Sequence, residues 1–120
     1  MGYNFSNDKP IFMQLAEVIK SQIVSGKLLP CEKLSSVRDF AIDYGVNPNT
    51  VQKALQILED EGLIYTDRTN GKFVSESKDK ISVTKKQIIK QEINQFLEKM
   101  KTMGLTESDI IKIINEKGSE

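Results

Sequence analysis

The chain contains no histidine and a single cysteine, Cys31, in 120 residues. Without histidine, the commonest general base and the commonest transition-metal ligand are missing, and Cys31 has no partner for a Cys–His nucleophile. One cysteine allows no intrachain disulfide, which fits a cytoplasmic location. No apolar run approaches the about 18 residues that a membrane span needs. The N-terminus lacks the basic-then-apolar order of a secretory signal. The opening "MGYNFS" meets the loose myristoylation pattern at Gly2 and Ser6, but its flanks read as an ordinary N-terminal extension. Phosphate-binding loops and metal-ligand spacings are absent too, so neither an enzyme nor a bound cofactor or metal is expected. Net charge is also missing, since 17 Lys/Arg balance 17 Asp/Glu. Residues 1–76 carry 8 basic against 10 acidic side chains, and residues 77–120 carry 9 against 7. A polyanion would have to be met by local placement of charge, with affinity leaning on a paired subunit.

Apolar residues make up 38% of the chain, enough for the core of one small domain with a helical appendage. Pro10, after Asp8 and Lys9, opens a helical pattern at a place where proline is tolerated. Ile11, Leu15, Val18, Ile19 and Ile23 share one face, and Gly26 ends the helix. "KLLPCEKL", broken by Pro30, is a connector. In "SSVRDFAIDYG", Ser36 and Asp39 have capping-box spacing: the hydroxyl accepts from the backbone three residues on, and the carboxylate reaches back. Val37, Phe40, Ala41 and Tyr44 form the apolar side, and Gly45 suits a left-handed terminator. After Val46 come Asn47, a good N-cap, and Pro48, a good first helical residue. The order helix, tight glycine turn, helix is the helix-turn-helix pattern.

The third helix, within "YGVNPNTVQKALQILEDEGLI", is unusual in its charge. Val51, Ala54, Leu55 and Leu58 fall on one face, and Asn49, Gln52, Lys53 and Gln56 on the other. Its first two turns hold no acid, whereas Glu59, Asp60 and Glu61 crowd its end. Asn, Gln and Lys are side chains that pair with base edges and phosphates. The bland alternative is an ordinary solvated face. After Gly62, the β-like runs "LIYT" and "KFVS" flank "DRTNG", and Asn70-Gly71 is a hairpin-turn signal. A hairpin directly after a helix-turn-helix is a wing, with Arg68 and Lys72 placing positive charge at its tip.

"ESKDKISVT" reads as a polar linker. Beyond it Ile89, Ile93, Phe96, Met100 and Met103 recur at spacings of four, three, four and three, a heptad-like seam closed by Gly104. Thr106 and Asp109 form a second capping box, with Leu105 and Ile110 as its hydrophobic staple. Ile110, Ile111, Ile113 and Ile114 make the last helix very apolar. Two such helices cannot bury both apolar faces alone. The long, continuous seam favours a homodimer interface including Ile110 and Ile114; packing back on the N-terminal core is the alternative.

The stretch from Pro10 to Val74, just over half of the chain, resembles the GntR family of bacterial transcription regulators. The resemblance rests on "PIFMQLAEVIKSQIVSGKLLP", "LSSVRDFA", "YGVNPNTVQKALQILEDEGLI" and "NGKFV". The family pattern has a proline-isoleucine opening, a G-x-L-x-P-G connector, a P-S-x-R-E-L-A helix and an E-x-x-G-L end before the wing. The "NPNTV" wording and the short tail are similar to the YtrA subfamily. MocR-type relatives share that wording but carry a large aminotransferase-like domain, for which 120 residues leave no room. The resemblance implies a mainly α fold with a small β-hairpin: a winged helix-turn-helix DNA-binding domain at 1–76, then a linker and two dimerisation helices at 77–120. It also implies contacts to phosphates or bases from Ser36 and Arg38, and from Asn47, Asn49, Thr50, Gln52 and Lys53 at the start of the recognition helix. Gly71 falls where the wing's backbone approaches the minor groove. Ser35 stands where proline is usual, Cys31 where glycine is usual, and Gln52 where arginine is common.

The expected protein is therefore a sequence-specific transcriptional regulator, a repressor, that binds a palindromic double-stranded operator as a homodimer. No cofactor and no membrane partner are expected, and a small-molecule effector of unknown identity would have to fit the short C-terminal helices, the dimer or the DNA-binding domain. The rival is a winged-helix protein–protein interaction module without specific DNA binding, supported by the acid excess of the N-terminal part. Cys31, beside Pro30 and near Lys33, is either a redox sensor or simply a small residue in a connector.

Overall fold

The structure is a computed structural model and describes residues 3–118. Gly2, the acceptor position of the myristoylation pattern, lies outside them. The described residues form helices α1 (Ile11–Val24), α2 (Val37–Tyr44) and α3 (Pro48–Asp60), an antiparallel hairpin of β1 (Ile64–Asp67) and β2 (Gly71–Val74), and helices α4 (Lys78–Thr102) and α5 (Glu107–Gly118). They divide into two compact units that meet at Lys85 and Lys86. The fold is mainly helical with a small hairpin wing, as the sequence pattern implies.

In the first unit α3 is the central element, packed against α1, α2 and β1. Its apolar stripe of Val51, Ala54, Leu55 and Leu58 is 0–1% exposed, and burying each of the larger side chains contributes about 1.5–3 kcal/mol. Leu15, Ala16, Ile19 and Ile23 of α1 meet it, joined by Phe40, Ala41, Leu63, Ile64 and Val74. Ile11, expected on that face, is instead 45% exposed; it is the first residue of α1, and the buried stripe begins one turn on at Leu15. Ser36 caps α2 by accepting from the Asp39 N–H at 3.1 Å; among the described residues no return bond from Asp39 completes the box. Gly45 adopts φ 67°, and the Val46 N–H reaches back to the Ala41 carbonyl at 3.0 Å.

Two segments differ from the sequence expectation. The connector after Pro30 pairs with β2: the Cys31 and Leu34 N–H groups donate to the Val74 and Lys72 carbonyls, the Val74 N–H donates to the Glu32 carbonyl, and Lys33 bridges Phe73. This adds a third, short edge to the wing. The supposed polar linker is also mostly helix, since α4 begins at Lys78. Ser77 caps it by accepting from the Lys80 N–H at 3.2 Å, no glycine or proline interrupts Lys78–Thr102, and Ile81 packs on the core of the first unit. That unit therefore extends past residue 76 to Lys85.

In the second unit, the Thr106–Asp109 capping box is complete: the Thr106 N–H donates to the Asp109 carboxylate at 2.9 Å and the Asp109 N–H to the Thr106 hydroxyl at 3.2 Å. These bonds, the backbone one first, hold the Asp109 carboxyl below its usual range. Ile110 is buried within the chain, at 7% exposure.

Cys31 is the one described non-glycine residue with positive φ, at 69°. A side chain there is strained by about 1–2 kcal/mol, partly offset by the greater freedom that glycine has in the unfolded chain. Cys31→Gly should raise stability by about 0.5–1 kcal/mol. Urea unfolding that shows no gain, or a loss, would contradict this account of the connector.

Candidate nucleic-acid interface

α2 and α3 present their N-termini to solvent, and the side chains there do two jobs. The Ser36 hydroxyl oxygen is engaged as the α2 cap, yet its proton is free to donate. The Asn47 side-chain oxygen accepts from the Asn49 N–H at 2.8 Å, capping α3, so only its amide NH2 is left to face a ligand. The unpaired backbone N–H groups of these helix starts favour anions such as phosphate. Arg38, Asn49, Gln52 and Lys53 are exposed and Thr50 is half-buried. Lys53 lies 5.6 Å from the centroid of the Phe12 ring, a cation–π approach that steadies it beside α1. Among the described residues Arg38 and Arg68 form no ion pair.

The wing tip is a three-residue loop, Arg68–Asn70, between Asp67 and Gly71, which face each other in register. Asp67 organises it. Its carboxylate accepts from the Thr69 N–H at 3.0 Å, the Thr69 hydroxyl at 2.9 Å and the Asn70 N–H at 3.3 Å. These bonds, the backbone one from Thr69 foremost, hold the Asp67 carboxyl below its usual range. Gly71 adopts φ 103°, a conformation that disfavours any side chain.

Between the wing and the start of α2 lies an open cleft of about 400 Å³. It brings together Ser36, Arg68, Gly71 and Lys72 from the expected site, and adds Lys33 and Asn70, which sequence reasoning left out. Arg38, Asn47, Asn49, Thr50, Gln52 and Lys53 are not part of its lining. The only signal for Lys33 was its alternation with Leu34 in a stretch too short to read as a strand. The three acids that end α3 are all engaged within the protein. Glu61 pairs with Lys20 of α1 at 2.8 Å, Asp60 accepts from Gln56 at 2.8 Å, and Glu59 accepts from the Thr66 hydroxyl at 2.6 Å. Gln56, on the expected polar face, thus stays exposed but is engaged within α3. No cluster that could hold a metal ion occurs among the described residues, and no described helix is long and apolar enough to cross a membrane.

Residues 13–74 match the bacterial regulatory proteins of the gntR family. The chain belongs to the GntR family. It is 35% identical to the uncharacterized HTH-type transcriptional regulator YhcF of Bacillus subtilis (strain 168), over 93% of each chain. It is 38% identical to the HTH-type transcriptional repressor YtrA of the same organism, over 73% of this chain and 68% of that one, and it groups with the YtrA-like members. A GntR family transcriptional regulator from Listeria monocytogenes superposes with a TM-score of 0.88 at 36% identity, covering 93% of this chain and 98% of the other. The solved AraR(DBD) in complex with operator ORX1 superposes with a TM-score of 0.55 at 32% identity, over 62% of this chain and 90% of that one. A GntR-family chain of this kind is a DNA-binding transcriptional regulator, and the rival protein-only interaction module is set aside.

The wing tip gives a pH prediction. A carboxyl whose folded pKa is depressed contributes order that is present above its unfolded pKa and lost as pH falls through the folded value. The Thr69 and Asn70 amide signals should keep their folded positions as pH falls through the ordinary aspartate range and move only below it. In Asp67→Ala they should be displaced at every pH. An NMR titration with a midpoint at or above the ordinary aspartate value would refute the Asp67-centred turn.

Proposed function

We propose that the protein is a cytoplasmic repressor that binds a palindromic operator in double-stranded DNA as a homodimer. The carrying observation is the division of α3: an exposed, acid-free start bearing Asn49, Gln52 and Lys53, and an end whose acids are held by Lys20, Gln56 and Thr66. In this reading α3 enters the major groove by its N-terminal turns. Ser36 and Arg38 meet the backbone or a base edge, and the wing, with Arg68 and Gly71, reaches the adjacent minor groove. The operator complex named for AraR(DBD) supports DNA as the partner, and the name of YtrA supports repression.

For the homodimer, the support is apolar surface. Ile89, Ile93, Phe96 and Met103 are 45–64% exposed in the single chain, and Ile114 is 59% exposed. Met100 is half-buried. Ile110, expected at the interface, is 7% exposed within the chain and so offers little of its own surface to a second copy. A second copy set on the seam would cover what remains.

Footprinting on the protein's own promoter tests the operator, with protection expected over two half-sites about one helical turn apart or somewhat more. Arg38→Ala should weaken binding by about 1–3 kcal/mol if the guanidinium reads a base. A loss that is equal on operator and random DNA, with a shallower salt slope, assigns it to phosphate; no loss removes α2 from the interface. Phe96→Asp should give monomers in sedimentation, because it sets a charge in a desolvated seam. An unchanged dimer with that substitution excludes the seam.

A further inference from the structure

Glu59 sits in the last turn of α3, and its carboxylate reaches both strands of the wing. One oxygen accepts from the Thr66 hydroxyl of β1 at 2.6 Å. The other lies 3.5 Å from the Lys72 ammonium of β2. Lys72 in turn donates to the Thr66 hydroxyl at 2.6 Å. Thr66 and Lys72 face each other in the hairpin register, so the three side chains close a triangle. The Lys72 and Glu59 side chains are only 28% and 29% exposed, so solvent screens the pair less than it does a surface salt bridge. Among the described residues these are the side-chain hydrogen bonds that join the hairpin to α3.

Two features of this triangle are left unexplained by DNA contact alone. An acid beside a wing cation repels phosphate, and the ammonium it holds is committed within the protein rather than projecting from the tip. We propose that Glu59 is a positioning residue for the wing: with Thr66 and Lys72 it fixes the angle between the hairpin and the recognition helix, and so sets how the wing tip meets the minor groove when α3 is in the major groove. This rests on the DNA-binding reading above. It moves Lys72 from the set of phosphate contacts to the positioning triangle and leaves Arg68 and Lys33 as the wing's cations toward DNA. It also separates the three acids at the end of α3, since Asp60 and Glu61 bond to Gln56 and Lys20 and, among the described residues, neither forms a side-chain hydrogen bond or ion pair with the wing.

The test uses the full chain, Glu59→Leu, Glu59→Gln and Thr66→Val, and a duplex that the wild-type protein selects from a random-sequence library. In the DNA-free protein, hydrogen exchange at Arg68–Gly71 should speed in Glu59→Leu and Thr66→Val and stay near wild type in Glu59→Gln, whose amide oxygen can still accept from Thr66. On the selected duplex, Glu59→Leu should lose about tenfold in affinity and its outer minor-groove footprint, while central major-groove protection persists. Affinity for random DNA should hold or rise, because a negative charge has gone. Glu59→Gln should restore the footprint. Lys72→Met should leave the salt slope unchanged. Unchanged exchange in folded Glu59→Leu and Thr66→Val overturns the proposal without reference to DNA. So does a slope reduced by about one in Lys72→Met, the mark of a phosphate contact. A wild-type protein that selects no duplex overturns the DNA-binding reading instead, and the exchange measurement still decides whether Glu59 holds the wing.

Discussion

The burial of one stripe on α3 is the constraint from which the rest of the first unit follows. Val51, Ala54, Leu55 and Leu58 are 0–1% exposed, and α1, α2 and β1 all pack around that helix. A helix with one face fixed so completely has no freedom of rotation about its axis. Its opposite face, with Asn49, Gln52 and Lys53, is therefore displayed by the core, with the Lys53–Phe12 approach as an added contact on that face. The tight glycine turn at Gly45 and the Asn47 cap then fix where the helix begins, which is where a groove would be entered.

Charge is the second problem that the fold resolves. A chain with 17 basic and 17 acidic side chains has no long-range attraction for a polyanion. The N-terminal part is even acid-rich. The structure handles this locally, by giving each acid at the end of α3 an internal partner: Lys20 on α1 for Glu61, Gln56 within α3 for Asp60 and Thr66 on β1 for Glu59. The cations near the helix starts and the wing tip, Arg38 and Arg68, stay without acidic partners among the described residues. Separating the charges along one helix thus does what net charge does in a basic DNA-binding protein, over a range limited to a Debye length of about 8 Å at physiological salt.

Much of this was legible because it is written in local code. The caps Ser36, Asn47 and Thr106, the terminators Gly45 and Gly104, and the apolar stripe of α3 all follow from residues within a few positions of one another. What escaped depends on distance in the sequence. The Lys20–Glu61 pair and the Glu59–Thr66–Lys72 triangle join separate elements, and a run of three acids looks the same whether it is solvated or partnered. The pairing of Cys31–Leu34 with β2 escaped because three or four residues around Pro30 give no readable alternation. The start of α4 was misread because "SKDKISVT" is polar, although polarity does not break a helix that lacks glycine and proline. Ile110 and Ile111 look alike in a run of isoleucines, yet only Ile110 stands at the staple position beside Leu105, and it is the one that the chain buries.

The exposed isoleucines of the second unit bear on the same charge problem. Ile111, Ile113 and Ile114 are 52–59% exposed, most of the seam residues of α4 are exposed too, and monomeric proteins rarely leave large contiguous apolar patches in water. A symmetric second copy would cover such a surface and would also bring a second reading helix. For a head with few cations this matters more than for a basic one. When two modules are linked, the second binds at an effective concentration set by the linkage, which multiplies affinity by about 10²–10⁴ without any new contact to DNA. In the proposed homodimer, apolar residues at the far end of the chain would then supply affinity that a reading head without net positive charge lacks, and would supply it only on DNA carrying two correctly spaced half-sites.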